Sequence, residues 1–238
     1  MRFLAAVFAA FLAVPAMAQD ADLRVLETAN DTKGWEGVGR VNIGSRAFCT
    51  GALIEPDLVL TAAHCLFDRN SGKRFETFEM EFLAGWRNGR AAAYRGVKRA
   101  LPHPEYSMDV EDQMGRVAYD VALLELDQPI RIPSVQPFTT DARPRKGDVV
   151  GIVSYALDRA DAPSIQESCR VLARRPGILI LSCDVDFGSS GAPIFTFQNG
   201  KPQIVSVVSA KSELTSHVGS VGGAGLAPRQ DLRALLGG

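Results

Sequence analysis

Between residues 38 and 208 the chain is assembled from short β-type runs, each closed off by turn-forming residues: 38–43, 78–83, 121–126, 149–153, 178–183, 194–197 and 204–208. In Phe78-Glu79-Met80-Glu81-Phe82 apolar and charged residues alternate, which sets them on opposite faces of a half-buried strand. Helical spacing is confined to the C-terminal end. There Pro228 suits a first turn and Leu232, Leu235 and Leu236 recur before Gly237, predicting a helix over 228–236. The pattern is that of an all-β fold with one terminal helix. A stretch from 130 to 147, holding Pro133, Pro137, Thr139, Thr140 and Pro144, is the best linker and divides the body into β subdomains of about 38–137 and 138–226.

The first residues read as an address. Arg2, an apolar run over 3–14, the helix breaker Pro15 and then Ala16-Met17-Ala18 make a secretory signal peptide, 1–18, cut after Ala18. The apolar run is too short for a membrane span, which takes roughly 20 residues. Residues 19–37 are polar, carry Asn30-Asp31 and Gly34, and read as a leader or propeptide, with ordered structure starting near Val38. The expected destination is the periplasm or the medium, with no membrane attachment once the signal is removed, and the expected state is a monomer. Lys+Arg number 26 and Asp+Glu 27, so the chain lacks the basic footprint of a nucleic-acid binder. Four cysteines, at 49, 65, 169 and 183, are an even number in an exported chain, where disulfides persist. A zinc site would want closely spaced Cys or Cys/His pairs, and this spacing does not supply them, so no metal is expected.

Two segments carry chemistry. Thr61-Ala62-Ala63-His64-Cys65 follows the apolar Val59-Leu60 and comes after Cys49-Thr50-Gly51-Ala52-Leu53-Ile54, so a strand leads into small residues and a histidine beside a cysteine. Histidine is the usual general base and also a common bystander. Asp186-Phe187-Gly188-Ser189-Ser190-Gly191-Ala192-Pro193 lies between two apolar strands and flanks a serine with glycines. Such a turn lets the backbone N–H groups of Gly188 and Ser190 converge on a developing oxyanion. Without a histidine partner it would be an ordinary Gly-Ser loop.

Taken together, Thr61-Ala62-Ala63-His64-Cys65, Asp120-Val121-Ala122-Leu123-Leu124 and Gly188-Ser189-Ser190-Gly191-Ala192-Pro193 resemble the three catalytic motifs of chymotrypsin-like (trypsin-like) serine peptidases, in that family's order. They are most similar to its bacterial branch, which includes the glutamyl endopeptidases, and Pro102-His103-Pro104-Glu105-Tyr106 is a smaller echo. The resemblance implies two six-stranded antiparallel β-barrels followed by the terminal helix. It implies hydrolysis of a protein or peptide substrate with no cofactor: Ser190 as nucleophile, His64 as base and then acid, Asp120 orienting the imidazole, and the Gly188 and Ser190 N–H groups as oxyanion hole. Asp109, Asp112 and Asp127 compete with Asp120, which is preferred because it opens an apolar strand. The resemblance also pairs Cys49 with Cys65, leaving Cys169 with Cys183; each loop of about 15 residues would contribute roughly 3 kcal/mol in the chain-entropy account.

Departures from the family pattern matter as much. Ser189 stands where trypsin-like enzymes keep an aspartate that receives a newly cut N-terminus, and Gly37-Val38-Gly39 is the nearest trace of such a terminus. A catalytic turn that forms without a buried ammonium is therefore expected. Asp184, six residues before the nucleophile, falls where those enzymes bind Arg or Lys; Cys183 adjoins it, and Lys211 follows the substrate-pairing strand 205–209, which ends in Ser209. Val208 occupies the place where glutamyl endopeptidases keep a histidine, which favours Arg/Lys over Glu before the scissile bond. His103 and His217 read as surface residues. An α/β-hydrolase esterase would need Gly-x-Ser-x-Gly and the order Ser, Asp, His, and neither is present. A catalytically inactive relative kept as a binding module is the non-enzymatic rival, against which the intact triad counts.

Overall fold

Strands that are alternating or apolar throughout must pair and bury, and in the first half of this chain they do so by closing on themselves. The computed structural model describes residues 23–44, 47–108, 113–140, 144–198, 200–214 and 217–223, and at 113–114, 198 and 210–223 the backbone alone. The described chain opens with a two-residue strand, β1 (Arg24–Val25). Six strands follow: β2 (Val38–Ile43), β3 (Ala47–Glu55), β4 (Leu58–Thr61), β5 (Met80–Ala84), β6 (Ala93–Pro102) and β7 (Ala122–Leu126). They form a closed barrel in the order β2-β3-β4-β7-β6-β5.

The second half is a seven-stranded antiparallel sheet. Its strands are β8 (Val149–Ala156), β9 (Arg159–Arg175), β10 (Ile178–Leu181), β11 (Pro193–Gln198), β12 (Lys201–Leu214) and β13 (His217–Gly223), with β1 at the edge. The order is β1-β9-β10-β13-β12-β11-β8, and β9 also pairs with β8. The fold is thus mostly β, as expected. The predicted helix over 228–236 and the signal peptide 1–18 lie outside the described residues. A short helix absent from the sequence reading, α1 (Gln113–Ala118), leads into β7.

Alternation decides which core each residue enters. On β3 and β4, Leu53 and Val59 fill the barrel interior with Val41, Phe82, Leu124 and Leu126. Their neighbours Ala52, Ile54, Leu58 and Leu60 point the other way and meet Val153, Tyr155, Ile165, Phe195, Ile204 and Val207 of the sheet. These two strands bury both faces, which is why their sequences are continuously apolar. The alternating run beginning at Phe78 starts two residues later than its pattern suggests. A 3-10 turn at Thr77–Glu79, held by a reciprocal Glu76–Glu79 cap, turns Phe78 out to 85% exposure, and only Met80 and Phe82 reach the core.

The segment read as a leader belongs to the folded body from residue 23 onward. β1 pairs Arg24 with Ile165 and Val25 with Ser164, and the Leu26 N–H donates to the Pro163 carbonyl at 2.8 Å. Leu26 is fully buried in the seam between barrel and sheet. The Trp35 ring lies 5.1 Å from Phe195, 6.0 Å from Phe138 and 6.4 Å from Phe197, so one indole ties the segment to both halves. Ordered structure therefore begins well before Val38, because this polar-looking stretch spends its few apolar residues at the seam.

A chain starting at Val38 is accordingly expected to be markedly less stable than one starting at residue 23. It forgoes burial comparable to a Leu→Ala and a Trp→Ala change, each on the order of 2–5 kcal/mol. Urea midpoints of the two purified chains check this, and equal midpoints would contradict it.

Candidate active site

His64 is delivered by a short, rigid run. β4 pairs with β3 on one side and β7 on the other, and Thr61 at its end donates its hydroxyl to the Thr50 carbonyl at 2.8 Å. Ala62 and Ala63 are fully buried, and a 3-10 turn, Ala63–Leu66, then presents the imidazole. Cys65 is bonded to Cys49 on β3, so the turn is fastened to the neighbouring strand.

Asp120 arrives from the opposite side, between α1 and β7. Its own N–H donates to the Val117 carbonyl at 3.3 Å, and its side chain is buried. The Asp120 carboxylate, an acceptor only, lies 2.7 Å from His64 Nδ1, so that nitrogen carries the proton and Nε2 is left as the basic lone pair. The other carboxylate oxygen accepts the His64 backbone N–H at 2.8 Å. A third donor is the Ser209 hydroxyl, from β12 of the sheet. Three hydrogen bonds offset the cost of burying this charge. His64 Nε2 is buried and has no hydrogen-bond partner among the described residues. Against the carboxylate lies the half-buried Tyr106, whose phenol is pushed well up by burial and then by the Asp120 charge.

Ser190 sits on the turn between β10 and β11. Gly188 and Gly191 have φ of 96° and 77°, a region L side chains rarely adopt. Space enforces the same choice: a Cβ on Gly191 would stand 2.2 Å from Thr61 Oγ1 and 2.4 Å from the Thr50 carbonyl. The Ser190 turn is thus pressed against the strand that leads to His64. Ser190 and Gly188 share a cavity of about 440 Å³ with His64, the Cys49–Cys65 bridge, Phe48 and Phe67. A second cavity, of about 270 Å³, is also lined by Ser190, together with Arg69, Val185, Asp186, Phe187, Val208 and Ser209, and shares Arg69 and Phe187 with the first. Ser189 is fully buried; its N–H donates to the Asp186 carbonyl at 2.9 Å, and its hydroxyl accepts the Asp186 N–H at 3.4 Å.

The other expected site residues fall as follows. Asp184 is exposed and lines neither cavity; its N–H donates to Gln166 Oε1 at 2.8 Å. Its neighbours Cys183 and Val185, beyond the end of β10, are the residues that turn into the core. The acid that does line the smaller cavity is Asp186. Ser209, expected to touch substrate, also holds Asp120, which no local pattern announces. Lys211 is on β12 opposite Ser220, its side chain outside the described residues, as is that of His217. Asp109 and Asp112 are likewise outside, and Asp127 is exposed at the end of β7. His103 stacks on Tyr119, with ring centroids 5.0 Å apart. Cys169 and Cys183 form the second disulfide, bridging β9 to the segment ahead of the nucleophile turn. Cys49, His64 and Cys65 place three metal-type donor atoms within 4.8 Å of one another. Two of these are the sulfurs of one disulfide, and a metal takes thiolates, so the group does not suit an ion.

The sequence model of the family described as Trypsin matches residues 26–172. A glutamyl endopeptidase of Bacillus licheniformis is 29% identical over 155 residues, covering 65% of this chain and 46% of that protein. A trypsin of Simulium vittatum is 40% identical over 82 residues, 34% of this chain and 28% of that protein. The chain thus spans less than half the length of these curated relatives. Among solved structures, a Glu endopeptidase in complex with MPD superposes with a TM-score of 0.71 at 19% identity, covering 93% of this chain and 97% of that one. A scabies mite inactivated protease paralogue gives 0.70 at 14% identity, with 92% and 97% covered. At these identities the superpositions speak for a chymotrypsin-like fold alone.

Gly191→Ala is expected to lower stability by about 2–5 kcal/mol, through the positive φ and the overlap with Thr61 and Thr50 together. The urea midpoint measures it, and a shift of under about 1 kcal/mol would show that the turn is not held this tightly.

Proposed function

Because the chain belongs to the trypsin family, a family of peptide-bond hydrolases, we propose that it is an exported serine endopeptidase working through His64, Asp120 and Ser190. The observation that carries this reading is the Asp120–His64 pair on a cavity that both His64 and Ser190 line. In the proposed reaction Ser190 Oγ attacks the carbonyl carbon while Nε2 takes its proton. The tetrahedral oxyanion is met by the Gly188 and Ser190 N–H groups, neither of which donates a hydrogen bond among the described residues. The C–N bond then breaks as the imidazolium returns the proton to the leaving amine. Water, deprotonated by the same imidazole, releases the acyl group from Ser190.

Two further parts of the reading have their own support. Export fits the two disulfides, which persist in oxidising compartments. A second barrel fits the way the sheet's pairings run from β8 through β9, β10, β13, β12 and β11 back to β8. For the side chain before the scissile bond, the proposal remains Arg or Lys, with Asp186 as the acid in the smaller cavity. Glutamate is the second reading, favoured by Arg69 in the same cavity and by the similarity to a glutamyl endopeptidase. Cleavage of a peptide library by the purified protein separates the two, and Arg69→Ala should weaken only a glutamyl preference.

Ser190→Ala and His64→Ala are expected to lower kcat on the order of 10⁶-fold. Asp120→Asn should cost about 10⁴-fold, because the amide disfavours the required tautomer. A fluorophosphonate probe should label Ser190 and nothing in Ser190→Ala. Absence of labelling in the folded wild-type protein would point instead to a catalytically inactive binding module on the same fold.

A further inference from the structure

The nucleophile turn has five carbonyls, and each is held by a named donor. The Asp186 carbonyl accepts the Ser189 N–H at 2.9 Å, that of Phe187 the Leu157 N–H at 2.7 Å, and that of Ser189 the Ala192 N–H at 2.9 Å. The remaining two both go to one residue: the Gly188 carbonyl accepts the Thr50 hydroxyl at 2.9 Å, and the Ser190 carbonyl accepts the Thr50 N–H at 2.8 Å. With all five carbonyls occupied, the N–H groups of Gly188 and Ser190, residues that line the cavity, are left without an acceptor among the described residues.

The direction of the Thr50 hydroxyl follows from proton counting. Thr50 is fully buried on β3, in the barrel, while Tyr155 is on β8, in the sheet. The Tyr155 N–H donates to Thr50 Oγ1 at 3.0 Å, which occupies one lone pair. The hydroxyl's single proton then goes to the Gly188 carbonyl at 2.9 Å rather than to the Tyr155 carbonyl at 3.5 Å. One side chain thereby joins barrel, sheet and turn. The Thr50 carbonyl in turn accepts the Thr61 hydroxyl, three residues before His64.

We infer that the Thr50 hydroxyl is a positioning residue that fixes the peptide planes around Gly188 so that the oxyanion donors are in place without any charged anchor beneath the turn. The residue under the turn, Ser189, is neutral, and the described N-terminal segment is engaged along β9. Such a turn is ready as soon as barrel and sheet have docked. The inference rests on the hydrolytic reading of Ser190 for its kinetic consequence but not for its geometric one.

The test compares Thr50→Val, which removes the hydroxyl at nearly constant volume, with Thr50→Ser, which keeps it. Thr50→Val is expected to lower kcat about 10–100-fold with KM little changed, short of the roughly 10²–10³-fold loss for deleting an oxyanion donor outright. Thr50→Ser should restore most of it. A crystal structure of Thr50→Val should show the Phe187–Gly188 or Gly188–Ser189 peptide rotated. Unchanged peptide planes would overturn the inference whether or not the wild-type protein hydrolyses peptides. Wild-type kcat in Thr50→Val, or an equal loss in Thr50→Ser, would overturn it as well. Should Thr50→Val not fold, Thr50→Ala is compared with Thr50→Ser, and equal kcat in the two would overturn it. Fluorophosphonate labelling of wild-type Ser190, run alongside, reports separately on the hydrolytic reading.

Discussion

The arrangement depends on the apolar seam where barrel meets sheet. Val38, Ile54, Leu60 and Leu123 from the barrel and Leu26, Val153, Tyr155, Ile165, Phe195 and Val207 from the sheet side exclude water along it. Each fully buried side chain of this kind contributes about 1.5–3 kcal/mol. The proposed site is split across this seam, His64 and Asp120 on the barrel side and Ser190 and Ser209 on the sheet side, so burying hydrocarbon is what brings Ser209 to Asp120 and sets Ser190 and His64 around one cavity.

An apolar seam of this kind favours polar groups that are hydrogen-bonded, as Asp120 and Thr50 are, with the buried His64 Nε2 an exception among the described residues. Asp120 is surrounded by the His64 N–H, the His64 imidazole and the Ser209 hydroxyl. Thr50 uses its N–H, its carbonyl and its hydroxyl. Because an unpaired buried polar group costs about 1–3 kcal/mol, a small shift of sheet against barrel would be penalised at several points at once. The polar contacts therefore set the register in which the apolar surfaces dock.

The N-terminal segment shows the same economy. It has too few apolar residues to be read as core, yet Leu26, just past a strand of two residues, and Trp35, in the turns that follow, reach the seam. A stretch can look like a leader by composition and still be structural when its few large side chains are spent where both halves converge.

What the sequence determined was local. Alternation placed Met80 and Phe82 inward, small residues around His64 and glycines around Ser190 marked rigid turns, and the four cysteines stood where two short loops close. What only the tertiary structure decided was which residue faces which across long separations: Ser209 to Asp120 over 89 positions, Thr50 to Tyr155 over 105, Thr50 to Gly188 over 138. Asp184 and Asp186 illustrate the limit, since two positions along a strand-like segment separate an acid outside the cavities from one that lines the smaller. Periodicity reports the face on which a side chain lies. It carries nothing about the partner on the opposing surface, because that partner is chosen by how the barrel and sheet surfaces dock.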